Sequence, residues 1–251
     1  MIKPLETPNI PKGRVKTVAV GTDDPLLLNT LETRGISVIK TIESQHLDNR
    51  VSRHTDMLLM NIAPNELLID STQKTNIVKY LTIGYSVIEL KEIVASPYPK
   101  DSALNSLVMG DKFIYCPTAV SDEVLNRAYE YGYKLIAVKQ GYVKCSVCPL
   151  DCNSAITDDE SIYKALIKSG IDCLYINKGS VQLNGFEYGF IGGCTGLIDK
   201  DKLLFNGDIS LHSDYIKIKR FLSEHGIKPI IIKGRPLTDI GSIIPLCEEI
   251  F

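Results

Sequence analysis

Five segments of this chain carry the same punctuation, and that repetition limits its fold more than any other feature. Each runs from a Ser or Thr through an amphipathic stretch to a Gly, then into a β-branched run. The segments start at Thr22, Ser71, Ser121, Thr157 and Ser213 and stop at Gly35, Gly84, Gly132, Gly170 and Gly226. Start and stop lie 13 residues apart in four of them and 11 in the third. A Ser or Thr hydroxyl at a helix start accepts a hydrogen bond from an orphan amide of the first turn. Thr157 with Glu160 has the spacing of a capping box. Pro25 falls in a first turn, where its missing N–H costs nothing. A Gly just past each helix supplies the left-handed residue that ends it. The spacing predicts five helices, each followed by a strand.

Ahead of four of these helices lie two apolar runs. They read DMLLMN and ELLI, SLVMG and KFIYC, VKCSVC and SAIT, and GFIGGCTGLI and KLLFNGDI. The first helix has only one such run before it, KTVAVG. Its partner is expected in TDIGSIIPL near the C-terminus. The fold class expected is therefore α/β, with five strand–strand–helix–strand units closed into a ring by the last strand. Closure would also cover sheet edges that an open repeat leaves bare. We expect one domain over residues 1–251, with the repeat core from about residue 15 to 246.

The 251 residues are 44% hydrophobic and 23% charged, the balance of a globular domain. A net charge of −2 with scattered lysines gives no basic stripe, so no nucleic-acid partner is expected. No run of about 18 apolar residues exists, so no membrane partner is expected either. The start, MIKPLETPNIPKGRVK, lacks the apolar core of a secretion signal. Seven cysteines, an odd number, fit a reducing cytoplasm better than a disulfide framework.

Several residues at strand mouths could carry chemistry. His54 and Asp56 stand two apart at the start of a run read as a strand, where they would share a face. Cys145 sits in VKCSVCPL, with Lys144 directed to the opposite face of the same strand. Cys194 lies in the glycine-rich GGCTG, where a backbone or a ligand can approach closely. Asn105 and Asp239 occupy comparable places in LNSLVM and TDIGSIIPL. Cys145, Cys148 and Cys152 form C-x2-C-x3-C, a spacing that thiolate metal sites use. On a strand the first two would face apart, so neither a metal nor another cofactor is expected.

Five such units resemble the pentein superfamily, the α/β-propeller of guanidine-modifying enzymes. The resemblance covers roughly Val15 to Leu246 and rests on architecture more than on local identity. It implies an enzyme acting on a guanidine or amidine carbon of a small cationic molecule. In that role Cys145 would be the nucleophile, His54 the general acid/base and Asp56 its catalytic partner. Asp239, Asn105, Cys194 and Lys144 would surround the substrate, with Cys194 a rival nucleophile. Cys145 should then alkylate faster than the other six cysteines. In the catalytic members the Cys strand comes two units after the His strand, and here His54 is in the second unit and Cys145 in the fourth. Those enzymes carry their Cys in the last unit, where this chain has Gly241 and Ser242 instead. Penteins also include a non-catalytic ribosome anti-association factor, so the second reading is a ribosome- or metabolite-binding protein. A thiolate metal protein is the third.

Overall fold

The computed structural model describes residues 1–250. Helices occupy Pro25–Glu32, Ile77–Thr82, Asp122–Glu130, Glu160–Lys168 and Tyr215–Glu224, one in each punctuated segment. The second is preceded by a 3-10 turn over Ser71–Asn76. All five stop glycines have positive φ, from 68° to 95°. The caps differ from the sequence reading at four of the five starts. Only Ser121 caps its own helix, accepting from the Glu123 amide. Asp24, Asp70 and Asp159 cap three others through their carboxylates, and at Asp214 no side chain caps. A carboxylate interacts with the helix dipole and accepts more strongly than a hydroxyl. Asp159 Oδ1 takes the amides of both Ser161 and Ile162. The capping box at Thr157 does not form: the helix starts at Glu160 with Asp159 as its cap, while the Thr157 hydroxyl donates to Ser146 O at 2.7 Å and accepts the Asp159 amide at 3.2 Å.

Five sets of three strands share one pattern, an antiparallel pair followed by a parallel neighbour. Three sets are separate sheets, and the other two join, with Ile2–Pro4, in one seven-stranded sheet. Leu59–Ala63 pairs antiparallel with Glu66–Ile69, which pairs parallel with Ser86–Glu89. The same holds for Leu107–Met109, Lys112–Tyr115 and Lys134–Ala137. It recurs in Val147–Pro149, Ser154–Thr157 and Asp172–Tyr175, and in Thr195–Asp199, Lys202–Phe205 and Lys228–Ile231. In the fifth set the order in the chain is broken. Ile244–Glu249, from the C-terminal end, pairs antiparallel with Arg14–Val20, which pairs parallel with Ser37–Lys40. This closing strand starts at Ile244, later than TDIGSIIPL suggests. The residues from Asp239 to Ser242 are drawn into turns by contacts described below.

Each helix lays its apolar stripe on the sheets. Leu27 and Leu31, Val124 and Ala128, Ile162 and Leu166, and Ile218 with Leu222 are all buried. Burial of one such Leu or Ile stabilises the fold by about 1.5–3 kcal/mol. No helix among the described residues is long and apolar enough to cross a membrane. Three inner strands are entered through a single helical turn: Thr55–Leu58, Val143–Ser146 and Gly192–Cys194. These turns, rather than the strands, carry the polar residues that meet in the middle of the molecule.

Candidate active site

The short turns change how the site residues are presented. His54 is the N-cap of the turn Thr55–Leu58, and Asp56 lies within that turn. Cys145 and Lys144 lie in the turn Val143–Ser146. The strands begin only at Leu59 and Val147. Strand alternation therefore does not orient these side chains. Neighbours on a helical turn diverge by about 100°, which lets Lys144 and Cys145 go to different places without facing opposite ways.

His54, Asp56 and Cys145 converge, with their ligand atoms all within 4.8 Å of one another. All three are buried. Asn105 ties them together. Its Nδ2 donates to Asp56 Oδ1 at 3.2 Å and lies 3.1 Å from Cys145 Sγ. Its Oδ1 accepts the Cys145 amide at 3.2 Å. On the far side, Ser242 Oγ lies 2.6 Å from Asp56 Oδ2 and 3.0 Å from Gly192 O. Lys144 Nζ donates to that hydroxyl at 3.0 Å. The buried lysine thus reaches Asp56 through Ser242 instead of lining the cavity. Ser242 has φ of 71°, a left-handed backbone that a non-glycine residue rarely takes. Such strain persists where surrounding contacts hold it.

Asp239 is held by its own loop. Its carboxylate accepts the amides of Phe190 and Gly241, both at 2.9 Å. His54 Nδ1 stands 3.9 Å from Asp239 Oδ1. Gly193 O accepts the amides of Ile240 and Ser242, and Gly241 O accepts the Asp56 amide. A side chain at Gly193 would collide with the Asp239 carboxylate, and one at Gly241 with His54. The glycine-rich turn therefore admits the Asp239 side chain and the Cys145 backbone, not a ligand. Cys194 itself points to Ile191 O at 3.2 Å and packs with Cys148, Leu197 and Leu203. It is not among the residues lining the cavity.

Cys145, His54 and Asp239 do line one cavity, of about 470 Å³. Its walls are largely aromatic: Tyr98, Tyr142, Phe186, Tyr188 and Phe190. Four of these rings run in sequence, with centroids 5.6 Å from Tyr98 to Tyr142, 6.1 Å on to Phe190 and 6.0 Å on to Tyr188. Asp101 also lines it. Sequence reasoning missed this wall. Its traces are the tyrosine between two prolines at Pro97–Pro99 and the aromatic cluster of NGFEYGF, neither of which has a helix or strand period.

Burial pushes the Cys145 thiol well up, and the nearby carboxylates of Asp56 and Asp239 push it further. Burial also raises Asp239, against the opposing pull of His54. Burial and the two carboxylates both oppose thiolate formation at Cys145 in the empty protein, which counts against its alkylating fastest there. A thiolate beside two carboxylates is disfavoured until a cation arrives. All seven cysteines are free thiols. The spaced set Cys145, Cys148 and Cys152 does not converge. Cys148 packs in an apolar cluster and Cys152 sits against Gly110. His54, Asp56 and Cys145 together offer nitrogen, oxygen and sulfur donors of the kind zinc takes. The position between Asp56 and Cys145 is already bridged by the Asn105 amide.

Asp158 supports the glycine turn from behind. Its Oδ2 accepts the Ile191 amide at 3.1 Å, while its Oδ1 has no partner. Burial raises its pKa to about 7. An unfolded Asp titrates near ~4. Between those values the folded chain binds the extra proton, so stability falls as pH rises through this window. The loss is at most about 1.4 kcal/mol per pH unit. Asp158→Asn is expected to flatten that slope and raise the melting temperature above neutral pH. Thermal unfolding followed across the window checks this; an unchanged slope would refute it.

Comparison with known proteins adds the following. A model described as "Family of unknown function (DUF6873)" matches residues 20–244. No curated protein sequence matches the chain. Among solved structures, an amidinotransferase from Microseira wollei in the saxitoxin biosynthetic pathway superposes with a TM-score of 0.60 at 10% identity, covering 92% of each chain. The inosamine-phosphate amidinotransferase of Streptomyces griseus gives 0.58 at 10% identity, again with 92% of each chain. A Cys-to-Ser mutant of the agmatine deiminase of C. jejuni, with substrate bound, gives 0.57 at 11% identity, covering 98% of this chain and 96% of that one. These are pentein structures, and the mixed α/β fold of the chain matches theirs.

Proposed function

The chain belongs to DUF6873, a family of unknown function, and we propose that it is a thiol enzyme acting on the central carbon of a guanidine or amidine. The observation that carries this reading is one cavity lined by Cys145, His54 and Asp239, with Asp56 behind them. The solved structures of similar fold include amidinotransferases and an agmatine deiminase with its substrate. We read the five sets of three strands as five units around one axis, closed by Ile244–Glu249, within a single domain over residues 1–251. Seven free thiols suit a reducing cytoplasm.

The electrostatics suggest the order of events. A guanidinium entering the cavity pairs with Asp239, and with Asp56 behind adding its charge it relieves the repulsion of the two carboxylates on the thiol. Cys145 then loses its proton to His54, and the thiolate attacks the guanidinium carbon. The imidazolium returns that proton to the departing amine or ammonia as the C–N bond breaks. This leaves an amidino group on sulfur. Water or an acceptor amine then attacks the same carbon, His54 takes its proton, and the C–S bond breaks to restore the thiolate. Lys144, through Ser242, holds Asp56 in place as an acceptor.

Trapping the intermediate tests this. The protein is mixed with a panel of guanidines and amidines, quenched in acid and digested. An amidino adduct is expected on the Cys145 peptide, with free amine or ammonia released in equal amount. If no compound leaves an adduct and none releases amine, the reading falls. The non-catalytic binding protein then becomes the better account.

A further inference from the structure

The wall of the cavity bears on which guanidine would fit. Among the described residues, its lining includes Asp48, Asp101, Glu187 and Asp239 but no lysine or arginine. Arg50, beside the lining residues Asp48 and Phe186, is committed elsewhere. Its guanidinium pairs with both oxygens of Asp48, at 2.8 and 2.6 Å. It also donates to Gly185 O and lies 4.1 Å above the Phe186 ring. Lys178 is likewise turned to Tyr188, 5.5 Å from the ring centre. A substrate carboxylate would therefore enter an anionic, aromatic chamber with nothing to receive it.

Asp101 presents the opposite situation. It is 7% exposed and lines the cavity. Its Oδ2 accepts from the Tyr142 hydroxyl at 2.8 Å, but its Oδ1 has no hydrogen-bond partner. A buried carboxylate oxygen without a donor is costly unless something else satisfies it. Tyr142 and Tyr98 line the same cavity, their ring centroids 5.6 Å apart, and an aromatic face attracts an ammonium. Resting on the reading above, we propose that the substrate is a dication: a guanidine or amidine at one end, held at Cys145, and an ammonium at the other, held by Asp101 among the aromatic rings, with no carboxylate.

Calorimetry on the Cys145→Ala protein tests this without turnover. The probes are guanidines on one linear alkyl chain, in several lengths, ending in an ammonium, a methyl or a carboxylate. At the best length the ammonium-ended probe is expected to bind at least about tenfold tighter than the methyl-ended one. The carboxylate-ended probe should be weakest. Asp101→Asn should collapse the ammonium-to-methyl ratio towards one, with folding checked by circular dichroism. Equal affinities in the unsubstituted-Asp101 protein, or a ratio that survives Asp101→Asn, would overturn the dication while leaving guanidine chemistry intact. If no guanidine binds and none leaves an amidino adduct on Cys145 in the wild type, both readings fall together.

Discussion

Replacing Cys145 by alanine is expected to remove turnover by about four orders of magnitude or more, while the cation still binds. Loss of a nucleophile abolishes the covalent route, and what survives comes from positioning alone. Binding is a separate matter. In the proposed function the groups that attract a cation are Asp56 and Asp239, and each is held by contacts that do not involve the sulfur. Asp239 keeps its amides from Phe190 and Gly241, and Asp56 keeps Ser242 and Asn105. Removing the thiol leaves both in place, so affinity should stay within about tenfold of wild type. Steady-state rates and calorimetry on the same preparation separate the two effects. Wild-type turnover by the alanine variant would end the nucleophile assignment. Loss of binding and turnover together, in a folded protein, would mean that the sulfur positions the site instead of reacting.

Deleting the last fourteen residues should abolish cooperative folding. The deletion removes Ile244–Glu249, which pairs along most of Arg14–Val20. Ile243, Ile244, Leu246 and Cys247 leave the core with it. At about 1.5–3 kcal/mol for each large apolar side chain, the loss rivals the whole stability of a typical domain, about 5–15 kcal/mol. Glu248 is lost as well, and its carboxylate accepts the amides of Lys12 and Gly13. Those amides and the bare edge of Arg14–Val20 would be left without partners. Urea unfolding followed by circular dichroism should show no sigmoidal transition. A sharp transition of near wild-type midpoint would show that this strand is dispensable.

The sequence revealed the elements better than the site. Helix stops were legible because only Gly adopts a left-handed backbone without cost, and Gly35, Gly84, Gly132, Gly170 and Gly226 all do so. Helix starts were not, because Asp24, Asp70 and Asp159 outcompete nearby hydroxyls for the same amides. The meeting of His54, Asp56, Asn105, Cys145 and Asp239 could be anticipated from unit order, since they precede the inner strands of four different sheets, His54 and Asp56 sharing one. The role of Lys144 could not. It depends on a helical turn at Val143–Ser146 too short to leave a period in the sequence. The aromatic wall was illegible for a related reason: Tyr98, Tyr142 and Phe190 come from three separate connections that only the folded chain brings together.

The pairing of Ile244–Glu249 with Arg14–Val20 also sets a timetable. A ribosome adds residues at about 5–20 per second from the N-terminus, so Val18 emerges long before its partner Pro245 exists. Until then the strand must wait beside Ser37–Lys40 with one edge open. The three interior sheets, from Leu59 to Tyr175, draw their strands from neighbouring stretches and can assemble while synthesis continues. Arg14–Val20, made early, thus waits for its partner until Ile244–Glu249 has emerged. Residue Asp239, in the loop just before the closing strand, arrives with it. The carboxylate that faces His54 is therefore made long after the imidazole, and until it emerges the cavity lacks that part of its wall.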